Sequence, residues 1–280
     1  ESTENTSFEL VFSFWYTSSH MAYEYKYNPD RNADWNYGGR KWRLSRSKLD
    51  FFLECERCFY LDNKLGTKRP GFPPFNLNIA VDELFKKEFD EYRKKQEPHP
   101  IMKKYGVNAV PFQHEKMDTW RENFEGIEYH DSETGMTISG AVDDIWITPE
   151  GRLIIVDYKS TSKDGSITEL SDSAWDQQYK RQLGVYRWLL EKNGFKVEDI
   201  GYLVYANARK EEPTFDDKLV FETTLVPVET EVSWIEPTLK QIHTCLEQEH
   251  LPPIGQKCEF CPYREACGKK LQAIHKNLSK

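Results

Sequence analysis

The sequence has no apolar run that approaches the roughly 20 residues needed to cross a bilayer. Residues Phe8 to Tyr16 are too short for that, which excludes a membrane-spanning helix there. Positive charge is also scarce. Thirty-eight Lys and Arg against 46 Asp and Glu leave a net charge of −8. That excludes a protein that holds nucleic acid by bulk electrostatics, but not one with a local basic groove. There is no internal repeat. No secretory leader is visible, so a reducing compartment, the cytoplasm, is expected. There, six cysteines point to metal binding rather than to disulfides.

What is present suffices for a substantial core: 280 residues, 38% hydrophobic and 14% aromatic. The first twenty residues match nothing that follows, and Ser18 to Met21 read as a junction. Residues 1–20 are therefore expected to be a tag or non-native leader. Residues 21–43 are aromatic, polar and irregular, and read as an N-terminal arm. The domain proper is expected over 44–280.

The most informative stretch is Leu153 to Lys159, LIIVDYK. Its four apolar residues predict a short buried strand. Positions two apart in a strand share a face, so Asp157 and Lys159 project together. A carboxylate there can hold a divalent metal, and a lysine can steady charge on a reacting phosphate. Upstream, Met136 to Thr148 is rich in β-branched and apolar residues. Pro149, Glu150 and Gly151 signal a turn. The two arms predict a hairpin that brings Asp143 or Asp144 across from Asp157. Adjacent residues point to opposite faces, and the pattern alone leaves open which of the two shares the face of Asp157.

Predicted helices cover about 45–62, 77–96, 173–193 and 231–247. Predicted strands lie near 126–131, 136–148, 152–159, 199–207 and 218–227. In the third helix Gln182 and Tyr186 are four apart, hence on one side. Near the end, CEFCPYREAC sets Cys258, Cys261 and Cys267 in a C-x₂-C-x₅-C pattern. Three thiolates need a fourth, and Cys55 and Cys58 are the candidates. Structural zinc is one reading of such a set.

The segments GAVDDIW and LIIVDYKST resemble the second and third motifs of the PD-(D/E)XK nuclease superfamily, in its RecB-like exonuclease branch. The resemblance implies a restriction-endonuclease-like α/β fold: a mixed sheet flanked by helices, closed by a C-terminal cysteine cluster over about 252–268. It implies a Mg²⁺- or Mn²⁺-dependent DNA nuclease, an exonuclease on single-stranded ends. Asp143, Asp157 and Lys159 would be catalytic, with Gln182 and Tyr186 matching the branch's Q-x-x-x-Y pair. Metal ligands would be Asp82, Asp143, Asp157 and the carbonyl of Tyr158. Asp82 stands where the branch carries a histidine, and Asn78 where it carries a glycine; Glu83 and Glu88 are the fallback candidates. The segment LSRSKLDFFLECERCFYLDNKLG is similar to the first helix of iron–sulfur members, including CRISPR-associated adaptation nucleases and AddB nuclease domains. On that alignment Cys55, Cys258, Cys261 and Cys267 would hold a [4Fe–4S] cluster. Cys58 falls at a variable position, Glu56 replaces a proline, and Cys245 lies outside the pattern. Expected partners are DNA and a protein of repair or CRISPR adaptation. A rival reading is a catalytically inactive module of the same fold that binds DNA ends or a protein.

Overall fold

The computed structural model describes residue 28 and residues 30–71 and 73–278. The expectation for residues 1–20, and that for the start of the arm, fall outside the described residues. The elements run β1 (Leu44–Ser45), α1 (Arg46–Glu54), α2 (Glu56–Asn63), α3 (Asn76–Lys95), α4 (Pro100–Lys104), β2 (Val110–Pro111), α5 (Met117–Arg121), β3 (Ile127–His130) and β4 (Thr137–Gly140). They continue with β5 (Asp144–Ile147), β6 (Leu153–Thr161), α6 (Ala174–Lys192), β7 (Ile200–Ala208), β8 (Phe221–Glu229), α7 (Ile235–Glu247) and α8 (Phe260–Leu278). This is the expected mixed α/β architecture, with sheets flanked by helices.

The main sheet has the order β2-β5-β6-β7-β8, with β6 and β7 parallel and the other pairs antiparallel. A smaller sheet has the order β1-β4-β3. Strand β6 is buried on both faces, which explains its unbroken apolar run. Its alternation sorts two cores. Leu153 and Ile155 join Leu183, Tyr186 and Leu189 of α6. Ile154, Val156 and Tyr158 join Phe85 and Phe89 of α3. Asp157 and Lys159 continue the α6-facing row. The described part of the arm lies on the domain. Trp42 Nε1 donates to Asn63 Oδ1 at 3.0 Å, and the Tyr37 hydroxyl reaches Glu247 at 2.6 Å.

Three predicted elements are corrected. The strand expected over 136–148 is two strands in two different sheets, with the chain crossing between them at 141–143. The crossing is fixed by contacts from elsewhere. The Val142 amide donates to the Trp120 carbonyl at 3.0 Å. Gly140 lies against the Tyr186 ring so closely that a Cβ there would sit 2.8 Å from Cε1. The helix expected over 45–62 is broken at Cys55, whose backbone is extended (φ −162°, ψ 105°). Finally, the chain end expected as a cysteine-bearing loop continues into α8.

Helix α6 starts where sequence predicts. Ser173 accepts from the Asp176 amide, an N-cap that satisfies one of the free amides of the first turn. Among the described residues no helix is long and apolar enough to cross a membrane.

Candidate active site

Register decides which aspartate faces Asp157. Strands β5 and β6 pair Asp144 with Val156 and Ile145 with Ile155. One more step along that ladder sets Asp143 opposite Asp157. Their carboxylates interact directly, and Asp143 Oδ2 also accepts from the Tyr158 amide at 2.9 Å. Asp144 points to the other face, is fully buried, and belongs to a separate network. It accepts from Arg93 at 2.5 Å, Arg121 at 3.2 Å and the Tyr158 hydroxyl at 2.7 Å. Arg121 also donates to the Asp143 carbonyl at 3.0 Å and to Asp90 at 2.9 Å. The network therefore clamps the backbone that delivers Asp143. We expect Asp144→Ala to cost about 3–5 kcal/mol, because two buried guanidinium groups lose their buried counter-charge and keep only the partly exposed Asp90. Urea unfolding midpoints measure it.

Asp157 is fully buried, and its Oδ1 has no hydrogen-bond partner among the described residues. Burial, aided by repulsion from Asp143 and opposed by Lys159, pushes its carboxyl up to about 7. The Lys159 ammonium contacts Asp157, approaches the Tyr158 carbonyl at 3.4 Å, and lies over the Tyr179 ring at 4.8 Å. Asp82 comes from the first half of α3, which crosses the end of β6; the neighbouring Asn78 donates to the Ser160 carbonyl at 2.8 Å. The Asp82 carboxyl is raised by burial and then by Asp143, against the attraction of Lys86 and Lys159. Lys86 Nζ stands between two acids, 2.8 Å from Asp82 and 3.8 Å from Asp143. Three carboxylates thus gather around two ammonium groups.

A hard cation suits this donor set: oxygen ligands only, two acids raised by burial and by the nearby Asp143, and one buried oxygen unspent among the described residues. The fallback residues are placed elsewhere. Glu83 is exposed, and Glu88 pairs with His99 at 2.8 Å. Gln182 Nε2 donates to the Tyr186 hydroxyl at 3.0 Å on the face of α6 nearest the acids. Burial first, then Asp157 and Asp143 against Arg46, raise the Tyr186 hydroxyl to about 12, so it stays protonated.

The family model for the PD-(D/E)XK nuclease superfamily matches residues 43–268. The chain belongs to that superfamily. Its members are generally nucleases that use divalent metals. No curated protein matches the chain. A solved structure titled "Crystal structure of SSO0001" aligns over 73% of this chain and 84% of its own, at 15% identity and a TM-score of 0.26.

The nuclease domain carries a second candidate metal centre. The thiols of Cys55, Cys58, Cys258 and Cys261 are buried and lie within 4.8 Å of one another. Cys58 replaces Cys267 in the expected set. The reason is helical geometry: Cys55 caps α2 and Cys58 lies one turn inside it, while Cys258 and Cys261 repeat that spacing at the start of α8. Cys267, six residues beyond Cys261, faces another side of α8 and bonds Tyr263 instead. Gly255 makes the approach possible: its amide donates to Cys55 Sγ at 3.3 Å, and a Cβ there would meet the Glu54 carbonyl at 2.2 Å. Burial opposes ionisation of Cys55, but the Gly255 and Cys58 amides outweigh it and bring the thiol down to about 7. Cys245 stays apart, raised to about 11 by burial.

Sequence reasoning missed Lys86, Arg93 and Arg121. Lys86 had a signal, four residues after Asp82 on one helix. The arginines had none, since only the fold brings them to Asp144. Two arginines of α6 are engaged away from the acids: Arg181 binds Asp50 at 2.6 Å, and Arg187 binds Asp199 at 2.7 Å. Trp146 is core.

Proposed function

We propose that the chain is a divalent-metal-dependent deoxyribonuclease that works as an exonuclease on single-stranded ends. One observation carries the reading. Asp82, Asp143 and Asp157 converge from a helix, a strand crossing and a buried strand, with Lys159 beside them and Asp157 Oδ1 unpartnered. Asp82, Asp143, Asp157 and the Tyr158 carbonyl would hold Mg²⁺ or Mn²⁺. Such an ion supplies a water of lowered pKa and polarises the scissile phosphate. Lys86 currently neutralises two of these acids and would yield to the ion. Lys159 faces the charge that builds on the phosphate oxygens. Gln182 and Tyr186 hold the strand through a neutral hydroxyl. The Asp144 network fixes the two residues that bracket the site, Asp143 and Tyr158.

The test is cleavage of end-labelled single-stranded DNA with Mg²⁺ or Mn²⁺. Wild type should shorten the strand, and equal activity in Asp157→Ala and Lys159→Ala would remove the assignment. Binding of DNA ends without any cleavage would favour the inactive-module reading instead. Ligation needs Asp157 deprotonated, so metal competes with a proton that leaves near pH 7. We therefore expect Mn²⁺ affinity to rise about tenfold per unit of pH below 7 and to level off above it. Calorimetric titration at pH 6, 7 and 8 measures this.

For the thiolate centre, the resemblance implies [4Fe–4S]. Sulfur spacing favours a second reading, a single zinc ion. Tetrahedral zinc with bonds of about 2.3 Å sets its sulfurs about 3.8 Å apart. Contacts here are 3.2, 3.6 and 3.9 Å, and a cubane of eight atoms needs more room. Elemental analysis and absorbance near ~400 nm, the colour of thiolate-bound iron, separate the two. Reduced thiols fit a cytoplasmic protein that serves repair or CRISPR adaptation with a protein partner.

A further inference from the structure

Between the end of β6 and the first turns of α6 lies a pocket of about 430 Å³ that opens onto Lys159. Its lining includes Lys163, Trp175, Asp176, Tyr179 and Tyr205. Two of these carry polar atoms that the fold does not use. Asp176 is 2% exposed. Its Oδ2 accepts from the Ser171 amide at 2.9 Å and from the Ser171 hydroxyl, while its Oδ1 is buried with no hydrogen-bond partner among the described residues. The nearest cation, Lys163 Nζ, is 3.9 Å from Oδ1, beyond hydrogen-bond reach. Tyr205, also 2% exposed, has a buried hydroxyl with no hydrogen-bond partner among the described residues. Each such orphan destabilises a folded protein, because a desolvated polar atom gets nothing in return. Two in one pocket beside Lys159 call for a ligand rather than a packing defect.

The ligand's chemistry follows from the lining. Although burial opposes it, the Ser171 hydroxyl and amide keep the Asp176 carboxyl below its usual range, so it acts as an acceptor. It asks for an N–H donor. Lys163 and Tyr205 offer donors next to it and ask for an acceptor. Donor and acceptor side by side on a flat edge describe a nucleobase, above all one with an exocyclic amine beside a ring nitrogen. Trp175 is 70% exposed at the rim and, with Tyr179, offers ring faces for stacking.

We propose that this pocket takes one unpaired base of the DNA strand whose phosphate lies at Lys159, with Asp176 reading its amine and Trp175 covering its face. The proposal rests on the nuclease reading for the strand's position, and its test is binding rather than cleavage. Fluorescence anisotropy should be run on wild type, Trp175→Ala and Asp176→Asn with labelled oligo-dC, oligo-dT and an oligonucleotide of abasic sites. Wild type should bind oligo-dC about tenfold more tightly than the abasic strand, the worth of one stacked base. Trp175→Ala, a change at an exposed position, should erase that margin without changing affinity for the abasic strand. Asp176→Asn should bring oligo-dC down to the level of oligo-dT. Base-dependent binding in a protein that cuts nothing still supports the pocket. Equal affinity of wild type for abasic and base-bearing strands overturns it, even if every strand is cut.

Discussion

Asp157→Asn should abolish metal-dependent cleavage, by about a thousandfold or more, and still leave a protein at least as stable as wild type at pH 8. Loss of activity follows if the carboxylate is a ligand, since an amide oxygen carries no charge to hold the ion. The stability half comes from linkage. The folded carboxyl titrates near 7, against about 3.9 in an unfolded chain. A raised acid contributes its stability below the unfolded value and loses it as pH rises through the folded one. Metal-free wild type should therefore lose stability between about pH 4 and pH 7, and the variant should lose less. Attraction to Lys159 does not reverse the sign, because burial and Asp143 outweigh it. Each kcal/mol regained raises Tm by about 2–4 °C in a domain of this size. Lys159→Met is expected to cost about 10²–10³-fold in rate while Mn²⁺ binding persists, which separates charge stabilisation from ligation. An Asp157→Asn protein that melts early and binds Mn²⁺ normally would mean that the residue only supports the fold.

That expectation could be framed from sequence because strand periodicity is local. Leu153 to Lys159 fixes its own faces, and the turn at Pro149 to Gly151 fixes the hairpin. Choosing between Asp143 and Asp144 was beyond it. Both follow Gly140 closely, and what separates them lies far away: Arg93 on α3 and Arg121 on α5 take Asp144 to the opposite face. The crossing at 141–143 was hidden for a similar reason. MTISGAVDDIWI reads as one strand rich in β-branched and apolar residues, and the Gly140 contact at its bend is with Tyr186, 46 residues on. The break at Cys55 was masked by helical periodicity that runs through it. Tertiary demand on one sulfur overrode local preference there. The same limit explains Asp176 and Tyr205, which sequence shows as a helix-start acid and a strand aromatic.

Cys58→Ala should strip the thiolate centre of its metal and lower Tm by about 10 °C or more, whereas Cys267→Ala should change neither. The centre joins α2 to α8 across a gap of 203 residues, Cys55 to Cys258. Closing a loop of that length restricts the unfolded chain by about 5 kcal/mol in the cross-link model. The polar ties around it are weaker: Arg57 bonds the Pro252 carbonyl at 2.8 Å and Glu265 at 2.9 Å, and Tyr60 and Lys64 reach the Gln248 carbonyl at 2.9 and 3.0 Å. At about 2–4 °C per kcal/mol, losing the staple reaches the stated drop. Both α2 and α1 would then loosen, and α1 carries Asp50, which holds Arg181 of α6 at 2.6 Å and its own Arg46 at 2.9 Å. Activity should fall with the melt rather than independently of it. Metal content per chain, read beside the melting curve, decides between the two cysteines. If Cys267→Ala empties the centre and Cys58→Ala leaves it full, the four-residue set is the one the resemblance implied. The helix register described here would then have to shift.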